Sequence, residues 1–392
     1  MTTQASFKRS LVRSGIYTGL LCLLFVYFTW NDNSLSDNLL ALPYFAMLYF
    51  ILLSIGKPRV SDWVREKMKG DIRRIFLFPV LLVLLYFSYI AFNGENPLKG
   101  TIFLIPYLLF FPVLLFAANG NKTQKTDWLD FTTFVLYFFP VTLLEAGPSD
   151  LPFNGGGFDS VYRISVMLSA VFAFVTVRHI RDVGFYPVFK WRYLFTTLWV
   201  WLAFYAFAFV IGYALRFITL SEEHSIDLLS VEKIIKRTLG IFLHTALFEE
   251  LVFRGLLQNM LKKRIEQPGA SKIFRRWGLV ILVALSLLTG YSLKGNMQWF
   301  PALVTILLFG AAFGIEKTAK SGHGTYTALA ITSVIFGLVH WHAGSIIFVG
   351  LASIGGWAYG YVYLKTGNVF YAALLHALVN ATPLLFGLDL AK

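Results

Sequence analysis

Gly240–Leu261 reads GIFLHTALFEELVFRGLLQNML. The run is apolar and long enough to cross a hydrocarbon core of roughly 30 Å, yet Glu249, Glu250 and Arg254 lie near its middle. A charged side chain at that depth costs about 3 kcal/mol or more unless it is paired or hydrated, so such residues mark function by default. Helical spacing separates their jobs. Glu250 and Arg254 stand at i and i+4 and can pair along one face, whereas Glu249 points about 100° away, with no cation one turn before or after it. A carboxylate held in apolar surroundings can take a proton from water and return it to a leaving amine. His244 lies on a different face from Glu249 and reads as a packing histidine.

Outward from this stretch the chain keeps the same character. Of 392 residues, 57% are hydrophobic and 14% charged, against about 25% charged in a soluble domain. Apolar runs of membrane-crossing length fall near 11–30, 38–56, 75–92, 101–118, 128–145, 161–178, 193–219, 238–260, 277–293, 298–315, 325–342, 344–363 and 367–387. The expected fold is an all-α polytopic transmembrane helical bundle of about 13 membrane helices, with no soluble domain left over. The run at 11–30 follows Lys8 and Arg9 like a signal peptide, but has no small-residue cleavage site and reads as a retained helix. Cys22, the single cysteine, excludes an intrachain disulfide framework.

The net charge of +13 does not imply a nucleic-acid partner. Lys and Arg concentrate in alternate connectors, 57–74, 119–127, 178–192 and 261–276, while 31–37, 146–160 and 220–227 are acidic or neutral. That alternation follows the positive-inside rule. It predicts a cytoplasmic N-terminus; the chain is expected to be a multi-pass integral membrane protein, with a bacterial inner membrane as its expected location. The bilayer is one partner; the basic connectors read as solvated cytoplasmic loops.

Two further polar motifs lie in apolar runs. ITSVIFGLVHWHAG sets Phe336 one turn before His340, while His342 projects away; FYAALLHALVNATP sets His376 and Asn380 at i and i+4. By the charge alternation, the helix of Glu249 runs outside to inside and those of His340 and His376 run inside to outside, an antiparallel packing. Glu249 with His340 can orient and deprotonate a water, and His376 with Asn380 can hold the resulting oxyanion. No serine or cysteine occupies a comparable position for a covalent intermediate.

The ordered set E-E-x-x-x-R, F-x-x-x-H and H-x-x-x-N resembles the CPBP family, also called Abi, of type II CAAX-prenyl and bacteriocin-processing proteases. GGWAYGYVYLKTGNVFYAALLHALVN, with Gly356, Gly360, Gly367 and Asn368, resembles the family's approach to its last motif. The resemblance implies a glutamate-dependent intramembrane endopeptidase acting on a membrane-associated protein or peptide. Glu249 and His340 would activate water, His376 and Asn380 would hold the oxyanion, and Glu250, Arg254 and Phe336 would support them. It covers roughly 193–387, so residues 1–192 form an N-terminal set of helices of unassigned role before a protease core at 193–392. The spacing between Arg254 and Phe336 is about twice that expected, and the excess at about 277–315 reads as an inserted pair of spans.

No cofactor is implied. A zinc-dependent version of the same protease is the nearest rival, since Glu and two His are acceptable ligands, but H-E-x-x-H is absent. A transporter or proton-relay protein is the rival from another class, because intramembrane Glu, Arg and His also mark ion pathways. A non-catalytic scaffold is the third.

Overall fold

The computed structural model describes residues 2–31, 33–68, 70–92, 106–119, 126–143, 161–220, 228–293, 295–319 and 324–390. The connector expected at 146–160, most of 220–227, and Lys122, Lys125 and Glu145 lie outside them. Among the described residues, nine helices are long and apolar enough to cross a membrane, and Trp128–Phe139 and Arg163–Val177 are shorter apolar helices. Two expected spans differ from such a helix in identifiable ways. The one at 101–118 is described only from Pro106, and the one at 238–260 is helical but broken into π-helical and α-helical turns. The chain divides into two compact units, Met1–Val188 with Leu243–Leu251, and Phe189–Phe242 with Val252–Lys392.

In the first unit, Thr2–Thr29 and Leu35–Ile55 form a hairpin. Ser34 caps the second helix by accepting from the Asp37 amide (3.2 Å), and Thr29 Oγ1 donates to Asn38 Oδ1 (2.8 Å) across the turn. Rings of Phe25, Phe45 and Tyr49 stack between them. Lys57 folds back beyond the hairpin and donates to the Ser10 carbonyl (2.8 Å) and Ser14 Oγ (2.7 Å). The basic connector then forms a short helix, Pro58–Met68, whose Ser61 meets Thr176 at 3.1 Å. Helix Trp128–Leu143 is tied to the segment Val161–Val177 by Tyr137 with Ser169, and to Arg178, which caps that segment, by Asp130.

The second unit starts with Trp191–Ala214, an outer helix that exposes Phe195, Trp199 and Val210, as lipid contact requires. The run expected at 193–219 stops at Ala214. Arg216 takes a positive φ (55°), and Ile218–Leu220 pairs antiparallel with Leu388–Leu390, Ile218 opposite Leu390. This short ladder departs from a purely helical fold because Phe217, Ile218 and Leu388 bury together against Leu351.

Ala270–Ser292 and Phe300–Thr318, the pair read as inserted, form a hairpin joined by Ser286 and Thr305 hydroxyls at 2.8 Å. Thr325–Leu338 packs along Ile346–Thr366 in the most extensive helix pairing of the unit. Small residues permit it: a Cβ on Gly356 would lie 3.1 Å from Ser333 Cα, and one on Gly337 would lie 2.6 Å from the Val349 carbonyl. Val369–Phe386, capped by Asn368, completes the packing.

Candidate active site

Helical residues run without a break from Leu228 to Ile265, but not in one form. Ile241–Ala246 and Leu251–Gln258 are π-helical, and the α-helical turn Leu247–Glu250 lies between them. Wide turns of this kind are rare and recur at functional sites. Both glutamates fall in the short α turn. Glu250 is fully buried and Glu249 partly exposed. Their turn packs within the first unit: Phe248 meets Phe138 edge to face at 6.0 Å, and the Arg163 guanidinium lies 5.4 Å from the Phe248 ring.

Arg254, which begins the second unit's share of the motifs, is also fully buried. Its Nη2 donates to the Gly356 carbonyl (2.9 Å). Its guanidinium lies 4.4 Å from the Phe336 centroid, 5.4 Å from Tyr359 and 5.7 Å from Phe253. One turn later Gln258 Nε2 reaches the Gly360 carbonyl (3.3 Å), repeating the contact. An aromatic cage of this kind favours a cation by its ring quadrupoles. It also fixes Arg254 to the glycine-rich helix.

His340 does not lie on the α-helix of Phe336, which ends at Leu338. It lies in the 3₁₀ turn Val339–Ala343, closed by Gly344 at φ 73°. The two rings still meet, with centroids 4.7 Å apart, and Nδ1 of His340 lies 2.7 Å from the Phe336 carbonyl oxygen. A carbonyl only accepts, so Nδ1 carries the hydrogen of that bond; in the neutral ring the lone pair is then on Nε2. His342 is exposed, as its spacing predicts.

His376 is buried and meets the same Phe336 ring edge to face at 5.8 Å. The structure therefore brings Arg254, Phe336, His340 and His376 together in the second unit. Asn380, one turn beyond His376, is exposed. Glu249 and Glu250 belong to the first unit.

Residues 232–319 and 315–382 match the family model for type II CAAX prenyl endopeptidase Rce1-like proteins. Over this region, less than half of the chain, the sequence is similar to the Rce1-like family. No curated protein and no solved structure matches the chain. The Rce1-like match takes in every motif residue from Glu249 to Asn380, in agreement with the CPBP resemblance. Together with the nine apolar helices it makes the chain an integral multi-pass membrane protein carrying a protease-type hydrolase region.

The Rce1-like region also contains a residue that motif reading does not reach. Tyr359 is buried, its ring lies parallel to the His376 imidazole (4.7 Å, 9°), and it meets Phe336 edge to face at 5.8 Å. The available signal was indirect: glycines at 356 and 360 announce a helix pressed close to its neighbours, and a ring between them must share that packing.

Proposed function

We propose that the protein is a glutamic-type intramembrane endopeptidase that hydrolyses a peptide bond near the terminus of a membrane-associated protein or peptide. The observation that carries this reading is the pair of motif histidines, from separate helical segments, flanking the single ring of Phe336 within the Rce1-like region. In the mechanism, Glu249 takes a proton from water and His340 Nε2 orients that water toward the scissile carbonyl. His376 and Asn380 stabilise the oxyanion of the tetrahedral intermediate. Its collapse breaks the C–N bond, and Glu249 returns the proton to the leaving amine. Glu250, Arg254 and Phe336 hold the frame. The N-terminus is cytoplasmic, and the membrane is a bacterial inner membrane.

The decisive experiment compares the termini of membrane proteins in cells carrying wild type or Glu249→Gln. The expected result is a set of truncated termini present only with wild type, and cleavage of the same substrates by purified protein. Identical termini in both strains would sink the peptidase reading.

A further inference from the structure

In the first unit, helix Trp128–Leu143 faces the segment Val161–Val177 across a stripe of polar side chains. Two contacts set its register. Arg178 donates to both oxygens of Asp130 (2.6 and 3.0 Å), and the hydroxyls of Tyr137 and Ser169 meet at 2.8 Å. Numbers rise along one helix as they fall along the other, so the pairing is antiparallel. Thr133 lies between Asp130 and Tyr137, and Ser165 lies one turn past Ser169. The polar levels therefore succeed one another at about 5 Å, one per helical turn.

All six of these side chains are buried. The hydroxyl oxygens of Thr133 and Ser165 have no hydrogen-bond partner among the described residues. Serine and threonine in apolar helices ordinarily bond the carbonyl one turn back, as Thr332 and Ser333 do in the second unit. A plain interhelical clamp would pair hydroxyls with each other, as Tyr137 and Ser169 are paired. Thr133 and Ser165 do neither, and a buried orphan hydroxyl calls for an unseen partner. Arg178 is already matched by Asp130, so that end of the stripe attracts no excess of ions.

At the Ser165 end the stripe approaches the glutamate turn. Arg163, two residues earlier, donates to the His244 carbonyl (3.3 Å), and Phe248 packs on Phe138, the neighbour of Tyr137. Peptide hydrolysis consumes one water per bond, and hydrocarbon does not supply it.

We propose that this stripe is a water-binding site: a file of water molecules held by Asp130, Thr133, Tyr137, Ser169 and Ser165, leading from the Asp130–Arg178 end to the turn of Glu249 and Glu250. Each buried water needs about two to four polar partners. Successive levels supply them. This gives the N-terminal helices a task beyond anchoring, and it stands whether or not Glu249 is the catalytic base.

Radiolytic hydroxyl-radical footprinting of the full-length protein tests it, because water bound inside a protein generates radicals where it sits. Tyr137 is expected to oxidise at least five-fold faster than the equally buried rings of Phe172 and Phe185. The double variant Thr133→Val, Ser165→Ala is expected to bring Tyr137 down to the rate of those two rings. Faster oxidation of all three rings marks a misfolded variant; Thr133→Val and Ser165→Ala are then measured singly, each expected to slow Tyr137. Protection of Tyr137 in wild type equal to that of Phe172, or no change in its rate in a folded variant, overturns the proposal.

Discussion

Tyr359 and His376 share a parallel stack, and aromatic pairs of this kind contribute about 0.5–1.5 kcal/mol beyond the area they bury. If the stack holds the imidazole plane against an oxyanion, that energy belongs to the transition state. Tyr359→Phe then keeps kcat within about two-fold, whereas Tyr359→Leu lowers it about ten-fold with KM unchanged. Steady-state kinetics on a cleaved substrate checks both. The polar motif residues were legible because each stands as a polar group in an apolar run, and Phe336 only through its spacing from His340. Tyr359 was not, since a tyrosine in an aromatic-rich membrane helix is unremarked until its neighbours are known. His340 was legible as a residue and misplaced as geometry: its spacing from Phe336 suggested one α-helical face, but the ring contact is made through a 3₁₀ turn.

Among the elements, the helix Thr325–Leu338 depends on a residue outside every motif. Glu316, near the end of helix Phe300–Thr318, is almost fully buried. It accepts from the amides of Gly324 (3.0 Å) and Thr327 (2.7 Å), the Thr327 hydroxyl (3.0 Å) and Arg275 Nη2 (2.8 Å). It satisfies amides at the start of the helix and pairs the arginine at once. Glu316→Ala is expected to lower stability by about 1–3 kcal/mol, the cost of leaving buried donors without an acceptor, since Arg275 itself is partly exposed, with Glu316→Gln intermediate; thermal unfolding in detergent measures both. Gly337→Ala should act at the other end of the same helix, where the new methyl would meet Ser353 Oγ and the Val349 carbonyl. Overpacking of that kind costs about 1–3 kcal/mol, read as a lower melting temperature. Helix positions were legible from apolar length; the π turns beside Glu249 were not, because an extra residue in a turn leaves no mark on composition.

For the whole molecule, the useful fact is that Leu243–Leu251 packs with residues 1–188 although the chain on either side belongs to the other unit. The N-terminal helices therefore support the glutamate turn directly, through Phe138 and Arg163. Removal of residues 1–188 is expected to abolish cleavage and to raise amide hydrogen exchange across 243–251, in contrast to the loss of substrate affinity alone that a recruitment module would produce. Exchange mass spectrometry with a cleavage assay separates the two outcomes. The same interleaving has a cost during synthesis. At about 5–20 residues per second, the ribosome needs roughly 3 to 12 seconds to pass from the end of the first stretch to the glutamate turn that completes it. Over that interval the nascent chain presents an unfilled surface on its N-terminal helices while the next span is already being threaded into the bilayer, so the timing of translation becomes part of how the glutamates reach their seat.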